Sequence, residues 1–184
     1  MQKHLLLSIS LCAAVVLAAA APSAAQSVPE QGHVALGADI GLFAPTDDQF
    51  DNGLLADGFI EYYFTDRLSL RGGLAATSPA FVRGTDDSLR QFRLAADGIY
   101  NWEMGRIHPF AGGGLGLHLL QVKQNGEPIG ESSTKLGISI LGGIEYFLDT
   151  QWTLKAEGRF QWVDDPALVN PDGLALTVGV KRYF

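Results

Sequence analysis

The feature that most constrains this chain is an alternation of apolar and polar side chains with a period of two, returning in about eight segments. In WTLKAEGRFQW, residues 152–162, Trp152, Leu154, Ala156, Gly158, Phe160 and Trp162 fall on one side. Thr153, Lys155, Glu157, Arg159 and Gln161 fall on the other. Successive side chains of a strand point to opposite faces, so this period belongs to β-strands and not to helices. No segment after residue 26 carries a helical period. The alternation predicts strands near 34–43, 56–64, 68–77, 89–102, 109–120, 136–148, 152–163 and 174–184.

The connections alternate in length. Three are short: TDR at 65–67, EMGRIH at 103–108 and DTQ at 149–151. Four are long, at 44–55, 78–88, 121–135 and 164–173, and Asp, Asn, Gly, Pro and Ser dominate them, residues that favour turns. A strand that crosses a bilayer needs about 9–11 residues, against about 5–6 in ordinary soluble sheets. Long strands joined by alternately short and long connections are the pattern of an antiparallel up-and-down transmembrane β-barrel.

The two strand faces differ in charge. One carries Leu36, Ile40, Leu70, Leu94, Leu117, Ile138, Leu176, Val178 and Val180 and is almost free of charge. The other carries Asp39, Asp57, Glu61, Arg71, Arg93, Asp97, Asn101, His118, Glu145, Lys155, Glu157, Arg159 and Lys181. A soluble barrel buries the first face; a membrane barrel turns it to lipid and the second to its lumen. Aromatic placement favours the membrane arrangement. Tyr62, Phe64, Tyr100, Trp102, Tyr146, Trp152 and Phe184 gather at the short-turn end, and Phe92, Phe160 and Trp162 at the other. Such rings form belts at headgroup level. An eight-stranded lumen is filled by side chains, so its charges require partners. Six acids (Asp39, Asp57, Glu61, Asp97, Glu145, Glu157) face five bases (Arg71, Arg93, Lys155, Arg159, Lys181). Folding at the short turns sets Glu61 across from Arg71, and Glu145 across from Lys155.

The first residues do not share this pattern. Lys3, the apolar run LLLSISLCAAVVLAAA and then APSAAQ read as a cleaved signal peptide over 1–25, followed by a short periplasmic leader at 26–33 and the barrel at 34–184. The only cysteine, Cys12, lies in the apolar run, so the mature chain is expected to hold no disulfide. Cleavage removes one base and no acid, taking the net charge of −7 to −8. That balance disfavours nucleic acid as a partner.

Three stretches carry a family likeness: GFIEYYFTDRLSLRGGL (58–74), HPFAGGGLGLHL (108–119) and GLALTVGVKRYF (173–184). With them the chain resembles the eight-stranded outer-membrane β-barrel proteins of Gram-negative bacteria, the OmpA transmembrane domain and OmpX among them, over 34–184. The resemblance implies residence in the cell outer membrane and contact with outer-membrane lipids and lipopolysaccharide. It also implies assembly by the barrel assembly machinery, reading a terminal signal in Phe184, Val180 and Val178. Arg182 stands where an aromatic or apolar residue is usual. No appended peptidoglycan-binding domain is expected.

Chemical motifs are sparse. GGGLG at 112–116 lacks the following helix that a phosphate loop needs and is expected to make room for lumen side chains. His118 and Ser139 face inward on neighbouring strands, without a clear third carboxylate for a triad. The histidines are dispersed and show no metal-ligand spacing. The pairs Asp47–Asp48, Asp86–Asp87 and Asp164–Asp165 are candidate cation sites or solvated loop charges. The expected function is that of a structural or surface-interaction protein: a closed barrel, without cofactor or metal, whose loops 44–55, 78–88, 121–135 and 164–173 meet an extracellular ligand. The alternatives are an enzyme modifying lipid or lipid A, a small pore or ligand carrier, and a soluble periplasmic barrel with its faces reversed.

Overall fold

A computed structural model of the chain describes residues 29–47, 50–78, 88–124, 127–128, 132–164 and 171–184. The predicted signal peptide and the middle of each long connection lie outside these residues. Nine strands follow one another: β1 Val34–Pro45, β2 Gly53–Tyr63, β3 Leu68–Ser78, β4 Ser88–Asn101, β5 Ile107–Gln124, β6 Glu127–Pro128, β7 Ser133–Phe147, β8 Trp152–Val163 and β9 Gly173–Tyr183. β6 only extends one hairpin. The other eight pair antiparallel with their sequence neighbours, and β9 returns to β1 to close the barrel. Closure pairs Ala35 with Tyr183 at one end and Pro45 with Gly173 at the other, so no sheet edge is left among the long strands.

The short turns are built by their own side chains. Thr65 Oγ1 accepts hydrogen bonds from the amides of Arg67 (3.2 Å) and Leu68 (2.9 Å). Asp149 Oδ1 does the same for Gln151 and Trp152, both at 2.7 Å. Gly105 takes a positive φ of 72°, which a side chain would strain. On the opposite side the strands run further than the alternation predicts. β5 continues to Gln124 and β6 folds back on it, pairing Lys123 with Pro128 and Gln124 with Glu127. The reason is that QVKQ carries Gln121 and Lys123 in phase with Leu117 and Leu119, so a stretch without the apolar face that marks a strand still extends the ladder. On the same side, Thr46 N donates to the Asp172 carbonyl (2.9 Å) and Val163 N to Asp172 Oδ1 (2.7 Å), tying the first long connection to the last.

Burial divides the wall as the faces predict. Leu36, Ile40, Leu74, Leu94, Leu117, Ile138, Leu176 and Val178 are exposed, whereas the charged residues of the other face are buried, apart from a half-buried Asp57. The interior is not wholly polar. Ala35, Tyr63, Phe147 and Tyr183 pack together near the short turns, Phe43, Leu55 and Ala175 near the long connections, and Ile99, Phe110 and Leu141 on the wall between.

GGGLG remains inside β5, with no helix after it. Inward glycines supply space there: a Cβ on Gly114 would strike Asp97, and one on Gly37 would strike the Phe59 ring. A narrow lumen holding Asp, Arg and Phe side chains demands such vacancies on the strand paired beside them.

Candidate functional site

The strand parity that exposes leucine on one face aims every charged strand residue of the predicted set into the lumen. The two register predictions are met: Glu61 opposes Arg71 and Glu145 opposes Lys155. Their outcomes differ. Arg71 Nε donates to Glu61 Oε2 at 3.0 Å. Lys155, by contrast, forms its ion pairs with Asp39 (2.6 Å) and Glu157 (2.9 Å) and not with Glu145. Glu145 instead accepts from Lys181 Nζ at 2.6 Å and from the Tyr183 hydroxyl at 2.7 Å. In a narrow lumen, a long side chain finds the far wall as near as its register neighbour, so opposition on the sheet does not settle pairing.

The remaining contacts join these pairs into one set. Glu61 accepts from both Arg71 and Lys181. Arg71 also donates to Glu157 at 2.5 Å. Glu157 accepts from Lys155 (2.9 Å) and from Arg159 (3.2 Å) as well. Arg159 forms a two-pronged pair with Asp97, both bonds at 2.8 Å. Apart from this set, Arg93 pairs with Asp57 at 3.0 Å. Each of the six acids and five bases thus has an opposite charge in contact, the condition for keeping ions out of water.

Several partners follow from the same parity but were not singled out from sequence. Arg71 and Lys155 lie over the Phe59 ring, at 4.4 and 4.5 Å from its centre. Tyr63 receives a hydrogen bond from Lys181 at 2.9 Å, and its hydroxyl lies 3.2 Å from that of Tyr183. Tyr63 has the parity of Glu61, and Tyr183 that of Lys181, which was the available clue.

His118 and Ser139 do not meet. His118 Nδ1 lies 2.6 Å from Gln91 Nε2, while Ser139 Oγ accepts from Arg159 at 3.0 Å. Ser139 is level with Gly114 on β5, four residues from His118, a separation of about 13 Å along a strand. That is too far for a nucleophile and its base. Among the described residues, no three or more His, Cys, Asp or Glu side chains come together as a metal site. Of the acidic pairs, Asp48, Asp86, Asp87 and Asp165 lie outside the described residues.

Outside the barrel, Tyr62, Phe64, Tyr100, Trp102, Trp152 and Phe184 are exposed at the short-turn end, and Tyr146 is half-buried. Tyr62 packs edge-on to Phe64 and Tyr100 to Trp102, each with centroids 5.0 Å apart. At the other end Phe92 and Trp162 are exposed, and Trp162 packs against Phe160 at 4.6 Å. Arg182 fits the first belt: its guanidinium lies 4.7 Å from the Phe184 ring centre and 5.5 Å from that of Trp152. Val178 and Val180 face outward on β9 below it.

An antiparallel barrel with an apolar outside, aromatic rings at both rims and ion pairs within is a membrane barrel. The chain belongs to the family of outer membrane protein beta-barrel domains, which matches residues 10–184. Its place is the outer membrane, as the family resemblance implies. Solved structures of outer-membrane barrels share the fold. Neisserial surface protein A aligns with a TM-score of 0.66 at 18% identity, covering 83% of this chain and 96% of that one. OprG from Pseudomonas aeruginosa gives 0.66 at 10% identity, covering 87% and 99%. Ail, the attachment invasion locus protein of Yersinia pestis, gives 0.60 at 13%, covering 84% and 99%. No curated protein matches the sequence.

Proposed function

We propose that the protein is a structural, surface-interacting barrel whose sealed lumen makes it a rigid support for its long connections. The observation that carries this reading is the unbroken run of ion pairs across the interior, from Glu145–Lys181 through Glu61, Arg71 and Glu157 to Arg159–Asp97. Beside it, the space between Leu55, Ala75, Thr77, Gln91, Arg93 and Gln161 amounts to about 10 Å³, at most room for about one water. A pore or carrier requires far more. The separation of His118 from Ser139 weighs against the lipid-modifying enzyme.

Loops on a rigid scaffold are where binding concentrates, and this fold also serves a neisserial surface protein and an attachment invasion locus protein. In this reading residues 1–25 direct export, the barrel assembly machinery recognises Phe184, Val180 and Val178, and both termini lie in the periplasm. Protease added to intact cells then cuts only within 44–55, 78–88, 121–135 or 164–173. Cuts at 65–67, 103–108 or 149–151 on intact cells would reverse the orientation and remove the basis for surface binding. His118→Ala and Ser139→Ala leave the lipid A of expressing cells unchanged; a changed acylation pattern would favour the enzyme instead.

A further inference from the structure

The connected ion pairs leave Arg93 and Asp57 to one side. Beside this pair lies the small interior space bounded by the polar side chains of Thr77, Gln91, Arg93 and Gln161, with Leu55 and Ala75 closing it. Arg93 is 7% exposed, and its guanidinium is only partly used. Nη2 donates to Asp57 Oδ2 at 3.0 Å and Nη1 to Gln161 Oε1 at 3.4 Å. Nε is buried and has no hydrogen-bond partner among the described residues. A buried donor on a charged group is costly to leave without an acceptor.

The lining decides what can accept from it. Both amide oxygens around the space are already engaged, Gln161 Oε1 by Arg93 and Gln91 Oε1 by Thr77 Oγ1 at 3.4 Å. Gln161 Nε2 donates to the Pro171 carbonyl at 3.2 Å, and Gln91 Nε2 lies 2.6 Å from His118 Nδ1. A primary amide and a guanidinium carry more hydrogens than these contacts use. The groups left over are therefore N–H donors. No carboxylate lines the space. The second oxygen of Asp57, Oδ1, lies toward Gly73 on β3. Beyond Gln91 the charge is again positive, since His118 stands across from the half-buried Lys135 on β7.

A water needs acceptors as well as donors around it, whereas a small anion needs donors alone. We propose that this space binds one chloride ion, held by Arg93 Nε and the second amide hydrogens of Gln91 and Gln161. The two hydrogen bonds that border the space are long, 3.4 Å each, so its wall yields the little by which chloride exceeds a water. Phosphate, sulfate and organic acids are too large for about 10 Å³. The ion completes the hydrogen bonding of the one cation that stands outside the connected set, and it makes the stability of the folded barrel depend on chloride. The site is independent of which way the barrel faces and of what its long connections bind.

The test is reversible urea unfolding of the full chain in phosphatidylcholine vesicles, with sodium chloride exchanged for sodium gluconate at constant ionic strength. An ion bound only by the folded state stabilises it by mass action, so above the dissociation constant each tenfold rise in chloride raises the folded-to-unfolded ratio about tenfold. In Ala75→Val, whose added methyl groups occupy the space, the ratio no longer follows chloride. The same holds for Arg93→Lys, which keeps a cation beside Asp57 and lacks the guanidinium Nε; Ala75→Val decides the matter if Arg93→Lys does not fold. Crystals of the folded barrel grown in bromide give a separate reading. The wild type is expected to show an anomalous peak beside Arg93 Nε, and Ala75→Val none there. A wild-type ratio indifferent to chloride, an equal chloride dependence in wild type and Ala75→Val, or the absence of a bromide peak at Arg93 each overturns the proposal.

Discussion

Arg71 is the side chain whose loss the lumen tolerates least. The connected set contains five carboxylates, Asp39, Glu61, Asp97, Glu145 and Glu157, and four cations, Arg71, Lys155, Arg159 and Lys181. It already holds one negative charge in excess. Arg71→Met leaves five buried carboxylates against three cations. Breaking a buried pair in this way costs about 3–5 kcal/mol, and losing the contact over Phe59 adds about 0.5–2 kcal/mol. Glu157→Gln acts in the other direction. It leaves four against four, and each former partner keeps an acid: Arg71 with Glu61, Lys155 with Asp39, Arg159 with Asp97. Its cost is the lost charged hydrogen bonding, about 1.5–3 kcal/mol. The double variant restores the original excess of one, so its cost falls below the sum of the singles by about 0.5–3 kcal/mol. Urea unfolding in lipid vesicles measures all three, because Trp102, Trp152 and Trp162 sit on the lipid-facing wall and report departure from the bilayer. Equal costs for the two singles, with additivity within about 0.5 kcal/mol, would refute the idea that the lumen charges act as one coupled set.

Other expectations follow from the two faces of the wall. Gly114→Val drives a side chain into Asp97 and the Ala96 carbonyl and costs about 1–3 kcal/mol in the same assay, as overpacked interiors do. Gly58→Ala, whose Cβ would meet nothing within 4 Å, changes stability by less than about 0.5 kcal/mol. Leu94→Arg, on the outward wall near the middle of β4, costs about 2–4 kcal/mol in vesicles, against about 0–1 for the same change at a rim. Arg182→Ala loses its contacts with Trp152 and Phe184, and folding into vesicles followed by the heat-dependent gel shift becomes slower while the final barrel is unchanged.

Much of the architecture is legible because one rule, parity, fixes both faces at once. Lys155, Glu157 and Arg159 announce an inward face only because Trp152, Leu154 and Trp162 leave no other reading of their strand. The register at 65–67 and 149–151 was readable too, since two short turns allow little slip. What parity does not encode is reach across the lumen. Glu145 faces Lys155 on the sheet and binds Lys181, because the interior is narrow enough for side chains to select partners on other strands. The strand ends beside the long connections were misplaced for a different reason. QVKQ continues a ladder although Gln121 and Lys123 replace the apolar face that marks it.

The central claim is that a connected set of ion pairs seals the lumen, so that the protein acts through what its rigid wall presents and not by what it conducts. Single-channel recording in planar bilayers tests this most directly. Wild-type barrels, shown to be inserted by their heat-dependent gel shift, are expected to give no stepwise conductance, while Arg71→Met, with its carboxylates released, gives brief openings. A steady open conductance from the wild type would contradict the account.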